Sequence, residues 1–139
     1  MASKAIKGRC LCGKVEWTAD AAPTFSGYCY CGNCRRMSGS GRSPFIGFEA
    51  EHVAIVGETR CYFDSSEEGS GIERHFCPAC GTRMYSTPGS SPQFRIFYAG
   101  SLDNPDSFQP AFAIHAASKV AWESIPVELE AFDGDAPAS

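Results

Sequence analysis

Short apolar runs, broken every few residues by glycine or proline, dominate the hydrophobic pattern of this chain. The runs are rich in Val, Ile, Thr, Phe and Tyr, and they alternate partly between apolar and polar positions, which is typical of half-buried strands. Fourteen glycines and nine prolines in 139 residues keep most runs short. The pattern predicts strands at Val15–Thr18, Ser43–Phe48, Val53–Val56, Thr59–Phe63, Ile72–Phe76, Arg83–Thr87 and Phe94–Tyr98.

Helical patterns are scarce. Asn33–Met37 is predicted to form one short turn of helix, and Asn104–Asp106 another, because proline is acceptable in a first turn. Phe112–Trp122 has a helix-compatible composition, but its apolar residues fall on no single face. The polar segment Ser65–Gly71 is expected to be a mobile hairpin tip. The sequence therefore predicts a mainly β fold built from several antiparallel sheets.

Length and charge limit the organisation and the partners. A chain of 139 residues is expected to form a single domain over residues 1–139, with a core over about 8–131 and a flexible acidic tail over 132–139. A net charge of −4 and scattered basic residues argue against a nucleic-acid partner. No apolar run is long enough to cross a membrane, and the first residues carry no apolar signal segment, so a cytoplasmic protein is expected.

Seven of the eight cysteines lie in three tight clusters, which are Cys10 with Cys12, Cys29 with Cys31 and Cys34, and Cys77 with Cys80. In a protein that is not exported, clustered cysteines more often bind metal than form disulfides. A disulfide framework is the alternative, because eight is an even number. Cysteines one or two residues apart would close small strained rings, however, so the spacing favours metal.

The two cysteine pairs together supply four thiolates, which is the ligand set of a structural zinc site. Each pair is followed by a glycine, Gly13 or Gly81, which permits the positive φ that turns backbone N–H groups toward the sulfur atoms. Such a site would tie distant strands together and contribute directly to folding.

The triplet of Cys29, Cys31 and Cys34 has no fourth cysteine nearby in the sequence. One hypothesis is a second closed site, whose fourth ligand is Cys61 or one of the three histidines, His52, His75 and His115. The other is a fourth position open to water or substrate, as catalytic zinc requires. Local sequence leaves both open. An isolated strand cysteine such as Cys61 is more typically a small buried apolar residue.

Five segments carry a resemblance to a known family. They are Gly8–Val15 (GRCLCGKV), Gly27–Ser40 (GYCYCGNCRRMSGS), Pro44–Phe48 (PFIGF), Arg74–Gly81 (RHFCPACG) and Gly100–Pro105 (GSLDNP). With these segments in the family's order over most of residues 8–110, the chain resembles the glutathione-dependent formaldehyde-activating enzyme family, which also contains centromere protein V. The resemblance implies a β-rich fold whose sheets lean together like a tent.

The resemblance also implies two zinc ions per chain. The structural zinc would be held by Cys10, Cys12, Cys77 and Cys80, and a three-coordinate catalytic zinc by Cys29, Cys31 and Cys34. The implied activity is that of a carbon–sulfur lyase similar to S-(hydroxymethyl)glutathione synthase. Such an enzyme forms or cleaves S-hydroxyalkyl adducts between glutathione, or a similar thiol, and an aldehyde of the formaldehyde type. The alternative is a non-catalytic zinc module that carries thiols or binds partner proteins.

Glutathione carries two carboxylates, so cationic side chains are expected beside the triplet. Arg35 and Arg36 follow it directly, and arginine pairs well with carboxylates. Ser38 and Ser40 are candidate hydrogen-bond donors from the adjoining turn. Exposed strand edges make a homodimer a further expectation.

Two departures from the family pattern concern the substrate. Tyr30 stands where the family usually has histidine, between the first two cysteines of the triplet. Ala113 and Ala121 replace a histidine and a proline of the later segment, which reads AIHAASKVAW here. Neither change removes a proposed metal ligand.

Overall fold

The computed structural model of the protein describes residues 5–65 and 70–137. Strands dominate these residues, and there is one short α-helix, α1 (Gly32–Ser38). The strands are β1 (Ile6–Arg9), β2 (Glu16–Ala19), β3 (Phe25–Cys29), β4 (Ser43–Glu49), β5 (Val53–Val56), β6 (Arg60–Asp64), β7 (Ile72–Phe76), β8 (Arg83–Pro88), β9 (Phe94–Tyr98), β10 (Phe112–Ile114) and β11 (Glu130–Ala131). The prediction of a mainly β fold with antiparallel sheets is confirmed.

Each strand predicted from the sequence is present, with bounds that differ by at most one residue. The predicted turn of helix at Asn33–Met37 is α1, and the predicted turn at Asn104–Asp106 is a short 3₁₀ segment, Pro105–Ser107, capped by the Asn104 side chain. The strands that the pattern missed are β1, β3, β10 and β11, which are short or contain glycine. The predicted mobile tip at Ser65–Gly71 lies largely outside the described residues.

The helix-compatible segment Phe112–Trp122 is not a helix. It begins with β10, which runs parallel to β3 with Phe112 opposite Gly27 and Ile114 opposite Cys29. A single 3₁₀ turn, Ala116–Ser118, follows. Because no face of this segment is uniformly apolar, pairing with an existing strand stabilises it better than an isolated helix would.

Contacts divide the chain into two compact units. The first unit comprises Met1–Thr24 and Ile46–Phe108, and the second comprises Phe25–Phe45 and Gln109–Ser139. The organisation of residues 1–139 as one domain, with a core over 8–131, stays a prediction.

The first unit contains two antiparallel arrangements of strands. In one, β2 pairs with both β1 and β5. In the other, the successive strands β6 to β9 pair with their neighbours, so that β6 lies at the edge. Its core is centred on Trp17, whose ring stacks on Phe97 at 4.0 Å between centroids and whose indole N–H donates to the Ser101 hydroxyl at 3.1 Å. The partnered indole N–H lets this large side chain be fully buried without an unsatisfied donor.

The second unit is built on β3, β10 and β11, with β10 parallel to both of its neighbours. Edge-to-face contacts link the rings of Phe25, Phe45, Phe112 and Phe132 with centroid separations of 5.7–6.4 Å. The beginning of the expected tail is hydrogen-bonded here. The Phe132 N–H donates to the Ala113 carbonyl at 2.9 Å, and the 113–117 segment also bonds to Asp133 and Gly134. Residues 138 and 139 of that tail lie outside the described residues.

In the part of the chain that the structure describes, no helix has the length and apolar character needed to span a membrane.

Candidate metal centres

The four paired cysteines converge in the first unit from two loops of similar construction. In the loop Cys10–Val15, the Cys10 N–H donates to the Val15 carbonyl at 3.0 Å, and the Val15 N–H donates to the Cys10 sulfur at 3.3 Å. In the loop Cys77–Thr82, the Cys77 N–H donates to the Thr82 carbonyl at 2.9 Å. Both loops turn at the predicted glycines, Gly13 with φ of 79° and Gly81 with φ of 78°. The sequence therefore folds locally into two matching cysteine turns.

The sulfur positions in this quartet fit a tetrahedral zinc ion. The Cys12 Sγ lies 3.6 Å from that of Cys10 and 3.8 Å from that of Cys77, and all four sulfurs, including Cys80, lie within 4.8 Å of one another. A zinc–sulfur bond of about 2.3 Å places tetrahedral ligands about 3.8 Å apart. All eight cysteines lie in the described residues and are free, so the disulfide alternative is wrong. This quartet has the geometry of a closed metal site.

Thr82 supports the quartet and had no recognisable signal in the sequence. Its hydroxyl accepts the Leu11 N–H at 3.1 Å, joining the two cysteine loops, and contacts the Cys80 sulfur at 3.2 Å. Hydrogen bonds from the side chain and backbone of Thr82 lower the pKa of Cys80 to about 5. A lowered pKa favours the thiolate, which is the form that binds metal.

The cysteine triplet lies in the second unit, where β3 ends and α1 begins. Cys29 is the buried last residue of β3, and it lies opposite Ile114 in the parallel pairing of β3 with β10. The next residue continues this pairing, because the Tyr30 N–H donates to the Ile114 carbonyl at 3.1 Å. Cys31 is the N-cap of α1, and its sulfur accepts the Cys34 N–H at 3.2 Å. The three sulfurs lie within 4.8 Å of one another. A strand end and a helix start thus bring all three thiols to one point.

The triplet is arranged to hold negative charge on sulfur. Hydrogen bonds from the Cys29 and Cys34 side chains lower the pKa of Cys31, and the charge of His115 contributes in the same direction. Hydrogen bonds to the Cys31 and Cys34 side chains raise the pKa of Cys29, because its thiol then acts as a donor. Three thiols that share protons in this way match the soft ligand set that zinc prefers.

No histidine, aspartate or glutamate in residues 5–65 and 70–137 joins the triplet sulfurs within 4.8 Å. Each candidate fourth ligand has another neighbour. The His52 ring lies 3.0 Å from Asp20, and the His115 ring lies 3.0 Å from Asp135. Cys61 and His75 cluster with Glu73. The described residues therefore supply four sulfurs to one centre and three to the other.

Tyr30, which replaces the usual family histidine, has a structural role here. Its side chain is 1% exposed, and its hydroxyl donates to the Ser124 carbonyl at 2.8 Å. The same oxygen accepts from the Arg42 guanidinium at 3.2 Å, and that guanidinium lies 3.9 Å from the centre of the Tyr28 ring. The Tyr30 side chain therefore holds the backbone at Ser124 close to the residues that carry the cysteine triplet.

Replacing Tyr30 with phenylalanine is expected to lower the free energy of unfolding by about 1–2 kcal/mol, because the Ser124 carbonyl loses its 2.8 Å donor and the Arg42 guanidinium loses an acceptor. Denaturant unfolding measures this change, with Tyr62→Phe as the control, because Tyr62 is 58% exposed. Metal content is expected to stay at the wild-type value. An unfolding free energy equal to that of the wild type would contradict the anchoring role.

The expected glutathione contacts lie beside the triplet on α1 and in the turn after it. Arg35 is half-buried and Arg36 exposed, and within residues 5–65 and 70–137 neither guanidinium has a hydrogen-bonding or ionic partner. The Ser38 hydroxyl is committed to the turn, because it contacts the Arg42 carbonyl at 3.1 Å and accepts the Ser40 N–H at 3.1 Å. Ser40 is exposed. Their contacts with glutathione stay predictions.

Comparison with known proteins places this arrangement in a family. The model of the glutathione-dependent formaldehyde-activating enzyme family matches residues 5–118, which include all three cysteine clusters. The chain belongs to this family, as its motifs predicted.

Two relatives and one solved structure are similar to the chain. A protein of Halomonas elongata named "Putative glutathione-dependent formaldehyde-activating enzyme" is 26% identical over 137 residues, covering 94% of this chain and 84% of that protein. An uncharacterized lyase of Schizosaccharomyces pombe is 31% identical over 90 residues, covering 63% of each chain. A crystal structure of a Rhodobacter sphaeroides protein matches with a TM-score of 0.58 and 22% identity, over 72% of this chain and 92% of that one. The structural match supports the fold.

Proposed function

We propose that this protein is a zinc-dependent carbon–sulfur lyase or synthase that forms or cleaves the S-hydroxymethyl adduct of glutathione or a similar thiol. The observation that carries the proposal is the difference between the two cysteine centres. One has four sulfurs and the other has three, with no fourth ligand among the described residues. A closed site is typical of structural zinc, and a site with three protein ligands is typical of catalytic zinc.

Cys29, Cys31 and Cys34 would hold the catalytic ion, and Cys10, Cys12, Cys77 and Cys80 the structural one. When bound to three thiolates, zinc supplies a coordination position that keeps a further thiol ionised at neutral pH. The low pKa of Cys31 prepares the triplet for binding by favouring a thiolate before the metal arrives.

In the synthetic direction, the sulfur of the thiol bonds to the carbonyl carbon of formaldehyde. The electron pair of the carbonyl π bond moves to oxygen, and the oxygen takes the proton that the thiol released. In the lyase direction the same bond breaks and the proton returns to sulfur. No oxidant or reductant is consumed, so a centre without redox chemistry is sufficient.

Arg35 and Arg36 would orient the substrate thiol. Both cations follow Cys34 directly and have no partner among the described residues, so they are available to carboxylates. Glutathione offers two carboxylates at a distance from its sulfur, and this favours it over a small uncharged thiol. The family membership and the formaldehyde-activating and lyase names of the relatives agree with this substrate class.

A non-catalytic thiol carrier is the second candidate. The observation that favours it is that, among the described residues, no acidic or imidazole side chain groups with the three sulfurs within 4.8 Å, and such side chains usually move protons in catalysis. A carrier would bind glutathione at the triplet without changing the rate at which the adduct forms.

X-ray absorption at the zinc edge, with and without glutathione, tests the proposal directly. We expect two zinc ions per chain, and an increase in the mean number of sulfur ligands from 3.5 to 4 per zinc when glutathione binds, since one ion has four cysteine sulfurs and the other three. Exchange NMR on glutathione and formaldehyde then measures whether the protein accelerates adduct formation. Binding without acceleration would select the carrier. If glutathione binds and the sulfur coordination of zinc stays unchanged, both the lyase proposal and the carrier proposal are overturned.

A further inference from the structure

A third cluster of metal-binding side chains lies on one face of the first unit, at the edge strand β6. Cys61 on β6 is the register partner of His75 on β7, and Glu73 precedes His75 by two residues on the same face. One ligand atom from each of the three side chains lies within 4.8 Å of the others. The set is not part of either cysteine centre.

The geometry points to a third, solvent-accessible site for a divalent transition-metal ion such as zinc, held by Cys61, Glu73 and His75. The His75 Nε2 and a Glu73 carboxylate oxygen are 3.1 Å apart, close to the separation of about 3.3 Å that two ligands of one tetrahedral zinc ion adopt. A sulfur ligand of the same ion would lie about 3.5 Å from the nitrogen, and the ligand atoms here lie within 4.8 Å of one another, so the thiol needs a shift of at most about 1.3 Å.

The imidazole of His75 is already fixed in position. Its Nδ1 lies 3.2 Å from the Thr59 hydroxyl, and its ring stacks on Tyr85 with 4.3 Å between centroids and an angle of 7° between the planes. A hydrogen bond on one ring nitrogen and a fixed ring plane are the features that orient a metal-binding histidine. The other nitrogen is directed at the Glu73 carboxylate.

The charge and exposure of the group suit a divalent metal ion. A divalent cation would neutralise one thiolate and one carboxylate together. Cys61 is exposed, and the side chain of Glu73 is 52% exposed, so the ion would exchange with solvent and keep a position for water.

Cobalt titration of the zinc-loaded protein tests this site. The protein is first brought to two zinc ions per chain, the expected content of the two cysteine centres, and elemental analysis checks this value. Cobalt(II) is then added while the thiolate-to-cobalt charge-transfer absorption is followed. We expect one further equivalent of cobalt to bind with a single-sulfur signal and without release of zinc. Cys61→Ser is expected to abolish the signal, and Glu73→Gln and His75→Gln to weaken binding by about 100-fold or more.

His52→Gln is the matched control, because His52 also pairs with carboxylates, yet it has no cysteine in its cluster. It is expected to bind cobalt like the wild type. His75→Gln can also disturb packing on Tyr85, so the exposed Cys61→Ser change decides the result. Absence of a further equivalent, a signal that persists in Cys61→Ser, or zinc release that matches cobalt uptake would overturn the site. None of these results bears on glutathione binding at the triplet.

Discussion

Replacing Cys31 with serine is expected to remove one of the two proposed zinc ions, because it removes a metal ligand. Glutathione binding and adduct formation are each expected to fall by more than about 100-fold, a larger loss than is typical when a residue that only supports a metal ligand is replaced. Cys31 is the triplet sulfur with the lowered pKa, and it accepts hydrogen bonds from both other cysteines. Elemental analysis, calorimetric titration with glutathione and exchange NMR measure the three effects.

Serine is a well-matched substitute because Cys31 is the N-cap of α1. A serine hydroxyl accepts the Cys34 N–H as the sulfur does, and serine is among the preferred N-cap residues. The helix is therefore expected to persist, so that the change removes a metal ligand without removing the local fold. Cys61→Ser is the control for glutathione binding and adduct formation, because that cysteine lies outside both cysteine centres. Wild-type adduct formation by Cys31→Ser would refute the proposed active site.

Replacing Cys77 with serine is expected to have the largest effect on stability, lowering the free energy of unfolding by more than about 4 kcal/mol. The Cys77 side chain is 0% exposed, and its sulfur lies 3.8 Å from that of Cys12 on the other loop. The loss of one ligand opens the closed site and leaves a hydroxyl among buried apolar groups, where it is costly. Thermal and denaturant unfolding, together with zinc content, measure the effect.

A chelator strong enough to strip zinc from the wild type is expected to cause a loss of stability of the same order, because the free energy of metal binding is part of the free energy of folding. Cys61→Ser again serves as the comparison, and its unfolding free energy is expected within about 0.5 kcal/mol of the wild type. The two cysteine centres are distinguishable in this way, since Cys31→Ser should affect activity and Cys77→Ser the fold. A Cys77→Ser protein with full zinc content and wild-type stability would contradict the structural role.

Strand positions followed closely from local sequence in the first unit. Runs such as Ile72–Phe76 and Phe94–Tyr98 are bounded by turn residues and rich in β-branched and aromatic side chains, so their local preference agrees with the tertiary structure. The second unit was less predictable. Phe112–Ile114 becomes a strand only because β3 offers a parallel edge, and a pairing partner more than 80 residues away leaves no trace in a local pattern.

The cysteine spacing, with its trailing glycines, determined by itself which thiols form each cluster, because thiols one or two residues apart must lie close together whatever the fold. The meeting of the two pairs was predicted from their ligand count, but only the tertiary structure brings the clusters together in space. It brought Cys10 and Cys12 to Cys77 and Cys80, and it associated His115 with Asp135 and Cys61 with His75. These are contacts between segments distant in the chain, set by strand register and loop closure, and the number of ligands at each centre depends on them. Hence the sequence predicted one centre of four thiols and one of three, and the fold separated the candidate fourth ligands from the triplet among the described residues.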